Sequence, residues 1–323
     1  QTRKPSGLQI GGRLIVSRIS ERNDRKSGKK TAPSGKPGGR LSGSGPQGAK
    51  GNNRGDWSPE RGSAPRGDSA GPSGNRAPRG NKVDADNWLW GRHPVLAALA
   101  NPARKGMGRL IVTADRAEEI ERDRLAPNGH RAEILDGPAL ARMLPAGAVH
   151  QGMAFKVAPL EGVALEDIAE DASGVIVMLD QLTDPQNVGA IFRSALAFGA
   201  KGIVVQDRHS PALAGALAKA SAGATERLPC ARVTNLSRAL EKLADLGWRA
   251  VGLDGSAELT LEQALDAQPT VLVMGSEGDG VRRLVAEHCE AMAKIPMPGG
   301  FESLNVSNAA AIALYEAARK QGA

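Results

Sequence analysis

From residue 174 to the C-terminus, short apolar runs alternate with helical patterns, and that rhythm leaves few folds open. Strand-like runs occupy 175–179, 202–205, 228–233, 249–253, 271–274 and 294–297. Helical patterns fall between them at 188–198, 212–222, 236–246 and 281–292, and a last helix covers 306–320. Strands this short and this rich in Val, Ile and Leu read as buried on both faces. The expected class is therefore α/β, a mostly parallel sheet with helices above and below. In such a sheet, ligands bind where loops leave the carboxyl ends of the strands.

Three of those loops carry polar side chains that packing does not call for. The run at 271–274 ends in Gly275-Ser276-Glu277-Gly278-Asp279-Gly280. The segment that opens with Ile295-Pro296-Met297 closes with Ser303-Leu304-Asn305-Val306-Ser307. Upstream, the run at 175–179 leads into Asp180, then Asp184-Pro185-Gln186-Asn187. Glu277 lies between glycines at the mouth of an apolar strand, although three glycines also describe an ordinary strand–helix turn. Arg193 falls on a helix whose bulky packing comes from Val188, Ile191, Phe192, Ala195 and Phe198. It shares a face with Gly189, Ala190 and Ala197, small residues that leave room for something to approach a guanidinium. Asn187 follows Pro185 and reads equally well as a helix cap. Of Ser303, Asn305 and Ser307, one caps the last helix, where Ala310, Leu314 and Ala317 share a face. The other two are then free polar groups at a helix N-terminus, where backbone N–H groups point outward.

The usual phosphate-binding signatures are missing. No GxGxxG follows the run at 175–179, and the chain has no GxxxxGK[ST] loop. Cys230 and Cys289 belong to no CxxC or Cys/His group, so no metal site or disulfide framework is expected. They read as small buried thiols in a reducing compartment. No apolar run approaches the roughly 18 residues of a membrane span. No apolar stretch of the signal-peptide kind follows the basic N-terminus. The expectation is a cytoplasmic protein that does not engage a membrane.

Charge divides the chain. Residues 1–86 hold 18 Lys and Arg against 7 Asp and Glu, and the remainder holds 24 against 28. The basic character thus belongs to the first 86 residues, which also contain 17 Gly and 8 Pro. Such a segment buries too little apolar surface to fold and is expected to be a disordered tail. It is either an electrostatic arm for RNA phosphates or a solvated extension. Residues 87–158 read as a small α/β unit with strands near 109–113, 132–135 and 152–157. Helices follow Pro94 and cover 114–125 and 137–144. Residues 159–173 read as a linker with one short helical piece, and 174–323 as the second domain.

The loop residues carry a resemblance. Asn187-Val188-Gly189-Ala190-Ile191-Phe192-Arg193, then 273–280, then Ile295-Pro296-Met297 through Ser303-Leu304-Asn305-Val306-Ser307 resemble, in order, the three motifs of SpoU-type (TrmH/RlmB-like) SPOUT methyltransferases. These enzymes methylate a ribose 2′-oxygen of RNA. The resemblance implies a C-terminal segment threaded into a trefoil knot, S-adenosylmethionine as cofactor, and a homodimer joined through the knot helices. Exposed alanine and leucine on the last helix are expected to serve that contact. It also implies that Gly275, Ile295 and Leu304 contact the cofactor and that Asn187, Arg193, Glu277, Ser303 and Asn305 are catalytic. Gly91-Arg92-His93-Pro94-Val95 and Ala148-Val149-His150-Gln151-Gly152-Met153 resemble phrases of the family's L30e-like RNA-binding domain. That domain points to the branch acting on a guanosine of 23S rRNA in the large ribosomal subunit. A tRNA guanosine is the alternative target, and a non-catalytic rRNA-binding module the competing reading. Phe301 and Glu302 receive no role.

Attack by a 2′-hydroxyl on a sulfonium methyl needs the hydroxyl oriented and its developing charge stabilised. Arg193 suits that task as a donor and phosphate clamp, because a free arginine stays protonated. Glu277 is expected to orient Arg193 or the nucleotide, and Asn305 with Ser303 to hold the ribose or the loop. Nine aromatic residues in the chain are too few for an extended base-stacking platform. Recognition of RNA by shape and an unpaired loop is expected instead.

Overall fold

The computed structural model describes residues 84–299 and 303–322. The expected tail lies outside the described residues apart from 84–86, as do Phe301 and Glu302. The first sheet is built from β1 (Trp88–Trp90), β2 (Arg109–Val112), β3 (Ala132–Ile134) and β4 (Met153–Lys156). Helices α1 (Arg92–Ala100), α2 (Ala114–Arg122) and α3 (Gly137–Arg142) connect them. The strand order is β1-β4-β2-β3, antiparallel except for β2 with β3. Its core gathers Leu89, Val95, Leu99, Leu110, Val112, Met153 and Phe155. A short helix, α4 (Leu165–Ala169), lies in the connection to the second sheet.

The second sheet has seven strands, all parallel. They are β5 (Val175–Leu179), β6 (Gly202–Gln206), β7 (Cys230–Val233), β8 (Arg249–Leu253), β9 (Leu259–Thr260), β10 (Thr270–Met274) and β11 (Ala291–Lys294). The helices are α5 (Pro185–Ala197), α6 (Gly215–Ala220), α7 (Leu236–Asp245), α8 (Leu261–Ala264), α9 (Arg283–Ala286) and α10 (Val306–Lys320). The order across the sheet is β7-β6-β5-β10-β8-β11-β9. The chain lays β5, β6 and β7 side by side, then crosses to place β8 and β9, leaving a slot on each side of β8. Strand β10 fills the slot beside β5, and β11 fills the one beside β9.

The two-residue period of the strands divides the core between the faces. Val175, Val177 and Leu179 of β5 pack with α5 and α10 residues such as Ile191, Phe192, Ala310 and Leu314. Ile176 and Met178, between them in sequence, pack on the other face with Leu236, Leu240, Leu243 and Trp248. Both faces are covered, which is why these strands read as unbroken apolar runs.

Several elements differ from the sequence reading. The helix expected at 281–292 is only Arg283–Ala286, and the strand expected at 294–297 lies earlier, at Ala291–Lys294. The buried Asp180 carboxylate accepts from the Arg282 backbone N–H at 2.9 Å and from its Nε at 2.8 Å, which fixes where α9 can begin. Eight residues later the Glu290 N–H donates to Ala250 O, drawing the chain into the slot beside β8. Helix α5 starts earlier than its apolar pattern, at Pro185. Asp184 caps it, accepting from the N–H groups of Gln186 and Asn187. The Asn187 side chain is therefore free for other partners. Strand β9 and helix α8 went unread, being too short to show a period. Cys230 is buried as expected, whereas Cys289 is half-buried. Among the described residues no helix is long and apolar enough to cross a membrane.

Gly189 does not leave space beside Arg193. It is buried against α6, and a Cβ there would lie 2.6 Å from Ala220 Cβ and 2.7 Å from Leu217 O. The glycine lets α5 and α6 cross at backbone distance. Gly189→Val should lower stability by about 2–3 kcal/mol through overpacking, read as a fall in the thermal unfolding midpoint. An unchanged midpoint would sink this account of the crossing.

Candidate active site

The carboxyl ends of β5, β8, β10 and β11 open on one side of the second sheet. Beyond β10 the chain makes a tight loop, closed where Ser276 N–H donates to Gly280 O and Gly280 N–H donates to Ser276 O, each at 3.1 Å. Gly275 is required at its base. A Cβ there would stand 1.9 Å from the carbonyl carbon of Gly280, a contact with backbone that cannot move aside. Gly278 and Gly280 have φ of +101° and +66°, in the left-handed region that glycine enters without strain. All three glycines thus serve the shape of a loop that carries Glu277.

Glu277 meets two asparagines from distant parts of the chain. Asn187 Nδ2 donates to Glu277 Oε1 at 3.0 Å, and Asn305 Nδ2 donates to the same oxygen at 3.0 Å. Asn305 Nδ2 also donates to Asn187 Oδ1 at 3.0 Å, closing a ring of three side chains. Asn305 is the N-cap of α10, and its Oδ1 accepts from Ser307 N–H at 3.0 Å and Ser307 Oγ at 2.6 Å. Ser307 is therefore committed to the cap. Each amide group in the ring has its orientation set by a neighbour. Glu277 Oε2 has no hydrogen-bond partner among the described residues.

Glu277 and Asn305 border a cavity of about 710 Å³. Met274, Ala293, Ile295, Leu304, Val306 and Ala309 give it an apolar lining, and Gly275 and Ser303 also face it. Of the eight residues singled out in sequence, Gly275, Ile295, Leu304, Ser303, Glu277 and Asn305 thus line one cavity, and Asn187 joins them through Glu277. Arg193 does not. It is exposed on α5, does not border the cavity, and makes no hydrogen bond or ion pair among the described residues. Of the two partners expected for Glu277, Arg193 or the nucleotide, Arg193 makes no hydrogen bond to it among the described residues, and two amides do.

The loop after β8 was missed. Leu253, Asp254 and Gly255 also line the cavity. Hydrogen bonds from the Ser256 side chain and N–H hold the Asp254 carboxyl below its usual range. The signal was present: Asp254-Gly255 follows an apolar strand in the same way as the loops that were read.

On α10, Ala310, Leu314 and Ala317 are buried against the chain's own sheet, contrary to the expectation that alanine and leucine stand exposed. The exposed apolar residues there are Ile312 and Tyr315. The Tyr315 ring meets Phe198 edge-on at 6.0 Å, at the C-terminal end of α5.

Comparison with known proteins accords with this geometry. Residues 174–315 match the SpoU rRNA Methylase family, and residues 88–163 match the family of RNA 2′-O ribose methyltransferase substrate binding domains. An uncharacterized tRNA/rRNA methyltransferase of Mycolicibacterium smegmatis is 39% identical over 249 residues, spanning 75% of this chain and 79% of the relative. The SpoU methyltransferase AviRb of Streptomyces viridochromogenes, solved in complex with AdoMet, is similar in structure with a TM-score of 0.60 and 27% identity. That likeness covers 72% of this chain and 89% of AviRb. The AdoMet-bound rRNA methyltransferase of Sinorhizobium meliloti shares the fold, at 24% identity and a TM-score of 0.60 over 72% of this chain and 86% of that one. Two matched segments in the expected order, a relative aligned over three quarters of the chain and a shared fold identify the protein as a member of the SpoU family of S-adenosylmethionine-dependent RNA 2′-O-methyltransferases.

Proposed function

We propose that the protein methylates the ribose 2′-oxygen of a guanosine in 23S rRNA, in the cytoplasm and as a homodimer. The ring of Asn187, Glu277 and Asn305 at the edge of the cavity carries the reading. The cavity, about 710 Å³, falls within the roughly 300–1,000 Å³ of small-molecule sites. Its apolar lining suits a flat adenine, and its polar rim suits the charged end of an amino acid. Gly275, Ile295 and Leu304 are the residues assigned to S-adenosylmethionine. When bound, the cofactor supplies an electrophilic methyl group on a sulfonium.

The chain's own task is to hold and activate the hydroxyl. Glu277 Oε1 is taken by two amide donors, which leaves Oε2 to accept from the 2′-hydroxyl and draw its proton outward. Because both asparagines already hold the carboxylate, little reorganisation accompanies the reaction. Ser303, exposed on the same cavity, is placed to hold the ribose or the adjoining loop. Arg193 acts as a donor to phosphate or to the developing alkoxide. Phe198, Ile312 and Tyr315 are exposed apolar residues at the end of α5 and on α10, and we place the second copy there. We assign Arg193, exposed on the helix that ends at Phe198, to the contact between copies. The substrate-binding match at residues 88–163 favours ribosomal RNA, since the resembling tRNA-modifying branch usually lacks such a domain.

The test is tritium transfer from labelled S-adenosylmethionine to unmodified 23S rRNA and to bulk tRNA, followed by nucleoside analysis. Label in 2′-O-methylguanosine from ribosomal RNA alone supports the proposal. Label in tRNA retains the chemistry and overturns the substrate. Binding of RNA with no cofactor affinity makes the protein a non-catalytic module. Arg193→Ala should abolish transfer while cofactor affinity stays within about twofold, since Arg193 does not touch the cavity. Equal loss of both defeats its assignment. Glu277→Gln should slow transfer by about 10²- to 10³-fold, the range for loss of one preorganised group. Gly275→Ala should abolish cofactor binding in calorimetry, because the added methyl forces the 276–280 loop open.

A further inference from the structure

The two sheets are joined by more than a connecting segment. Arg104, at the end of the short turn Pro102–Arg104 in the first domain, and Glu226, in the turn Ala224–Glu226 of the second, form an ion pair across the boundary. Their side chains are 3% and 0% exposed. Arg104 Nη2 donates to Glu226 Oε1 at 2.9 Å and Arg104 Nε to Oε2 at 3.2 Å, while Arg104 Nη1 donates to Ala158 O at 2.6 Å. Asn101 Nδ2 donates to Glu226 Oε2 at 2.8 Å. Both carboxylate oxygens of Glu226 are thus satisfied by the first domain. A planar guanidinium bonded at both oxygens fixes direction as well as distance.

The surrounding packing accepts one arrangement. Ala214 and Ala218 sit in the first domain's core with Leu89, Val95 and Phe155. At Gly223, with φ of +87°, a Cβ would lie 2.6 Å from Ala97 Cβ and 3.0 Å from His93 O, so α1 presses directly on backbone. The connection is tied as well, where Val163 N–H donates to Cys230 O at the edge of the second sheet. A cleft of about 670 Å³ remains between the domains, bordered by Pro145 to Val149 on one side and by Gln186 and Lys219 on the other. Gln186, which precedes Asn187 on α5, is the residue of this cleft next in sequence to the ring.

We propose that Arg104 and Glu226 are positioning residues that hold the substrate-binding domain at one fixed place relative to Asn187, Glu277 and Asn305. The RNA feature gripped by the first domain thereby determines which ribose reaches Glu277. This rests on the proposed function, with residues 88–163 as the RNA-gripping part. Removing either partner leaves the other buried without its counter-charge, which favours separation of the domains. The pair lies outside the cavity, so cofactor binding is independent of it.

The experiment uses the full chain with Cys289→Ser, Met107→Cys and Leu284→Cys for spin labels, diluted with unlabelled protein so that only distances within one copy register. Positions 107 and 284 are exposed and lie in different domains, and Cys230 is buried. A narrow distance distribution that broadens in Glu226→Ala and Arg104→Ala, and recovers in part in Arg104→Lys, is the expected result. A broad distribution in the parent, or no change in the variants, overturns the clamp. On 23S rRNA the alanine variants, at cofactor affinity within about twofold, should lose on the order of 10- to 100-fold in kcat and methylate additional riboses. Unchanged kcat and unchanged position of the methyl overturn the positioning role. A parent with a narrow distribution and no transfer to any RNA defeats the proposed function and leaves the mechanical clamp standing.

Discussion

The place of β10 governs the rest of the second domain. It pairs with β5 on one side and β8 on the other, and all five of its residues are buried. Because it enters between β8, which shortly precedes it, and β5, laid down much earlier, its carboxyl end emerges beside the ends of both. The loops carrying Asn187, Asp254 and Glu277, far apart in sequence, therefore converge on one cavity edge. Strand β11 enters the second slot and sends Ile295 and the segment leading to Asn305 along the same side. A site assembled this way needs no metal or disulfide to gather its parts, because sheet hydrogen bonds set their spacing.

Close backbone approach recurs at each point where the chain must double back. Gly275 lets a loop fold onto its own strand, Gly189 lets two helices cross, and Gly223 lets the first domain press on the second. The glycines at 189 and 275 belong to motifs recognisable in the sequence, yet there they look like ligand-binding features. The structure gives each of them a steric reason within the chain. The cofactor contact proposed for Gly275 rests on the loop shape the glycine permits and does not compete with that reason.

The class of fold and the cavity were readable because both rest on local pattern. Apolar runs such as 175–179 report burial on two faces, and polar residues after such runs report strand ends. What could not be read depends on partners distant in sequence, or on a local choice between two residues that could cap the same helix. Helix α9 is short because Asp180, about a hundred residues upstream, fixes Arg282. Asn187 is free because Asp184, only three residues earlier, takes the cap, a choice that propensity alone leaves open. The Arg104–Glu226 pair spans 122 residues, and neither residue stands out in the sequence as a member of any pattern.

Charge around the cavity separates its two tasks. Among the described residues Asp254, Glu277 and Asp279 line it, against a single cation, Lys294. An acidic border attracts a sulfonium and repels the RNA backbone, so phosphates are kept out of the slot that an adenosyl group needs. The same border cannot hold RNA in place. In the proposed reading, grip on the phosphates comes from cations set apart from the cavity, such as Arg193, exposed on α5 without an ion-pair partner among the described residues. That Glu277 is held by Asn187 and Asn305, with no hydrogen bond from Arg193 among the described residues, then has a physical sense. A guanidinium bonded to Glu277 would neutralise the carboxylate proposed to receive the hydroxyl's hydrogen bond, whereas amide donors orient that carboxylate and leave its charge in place.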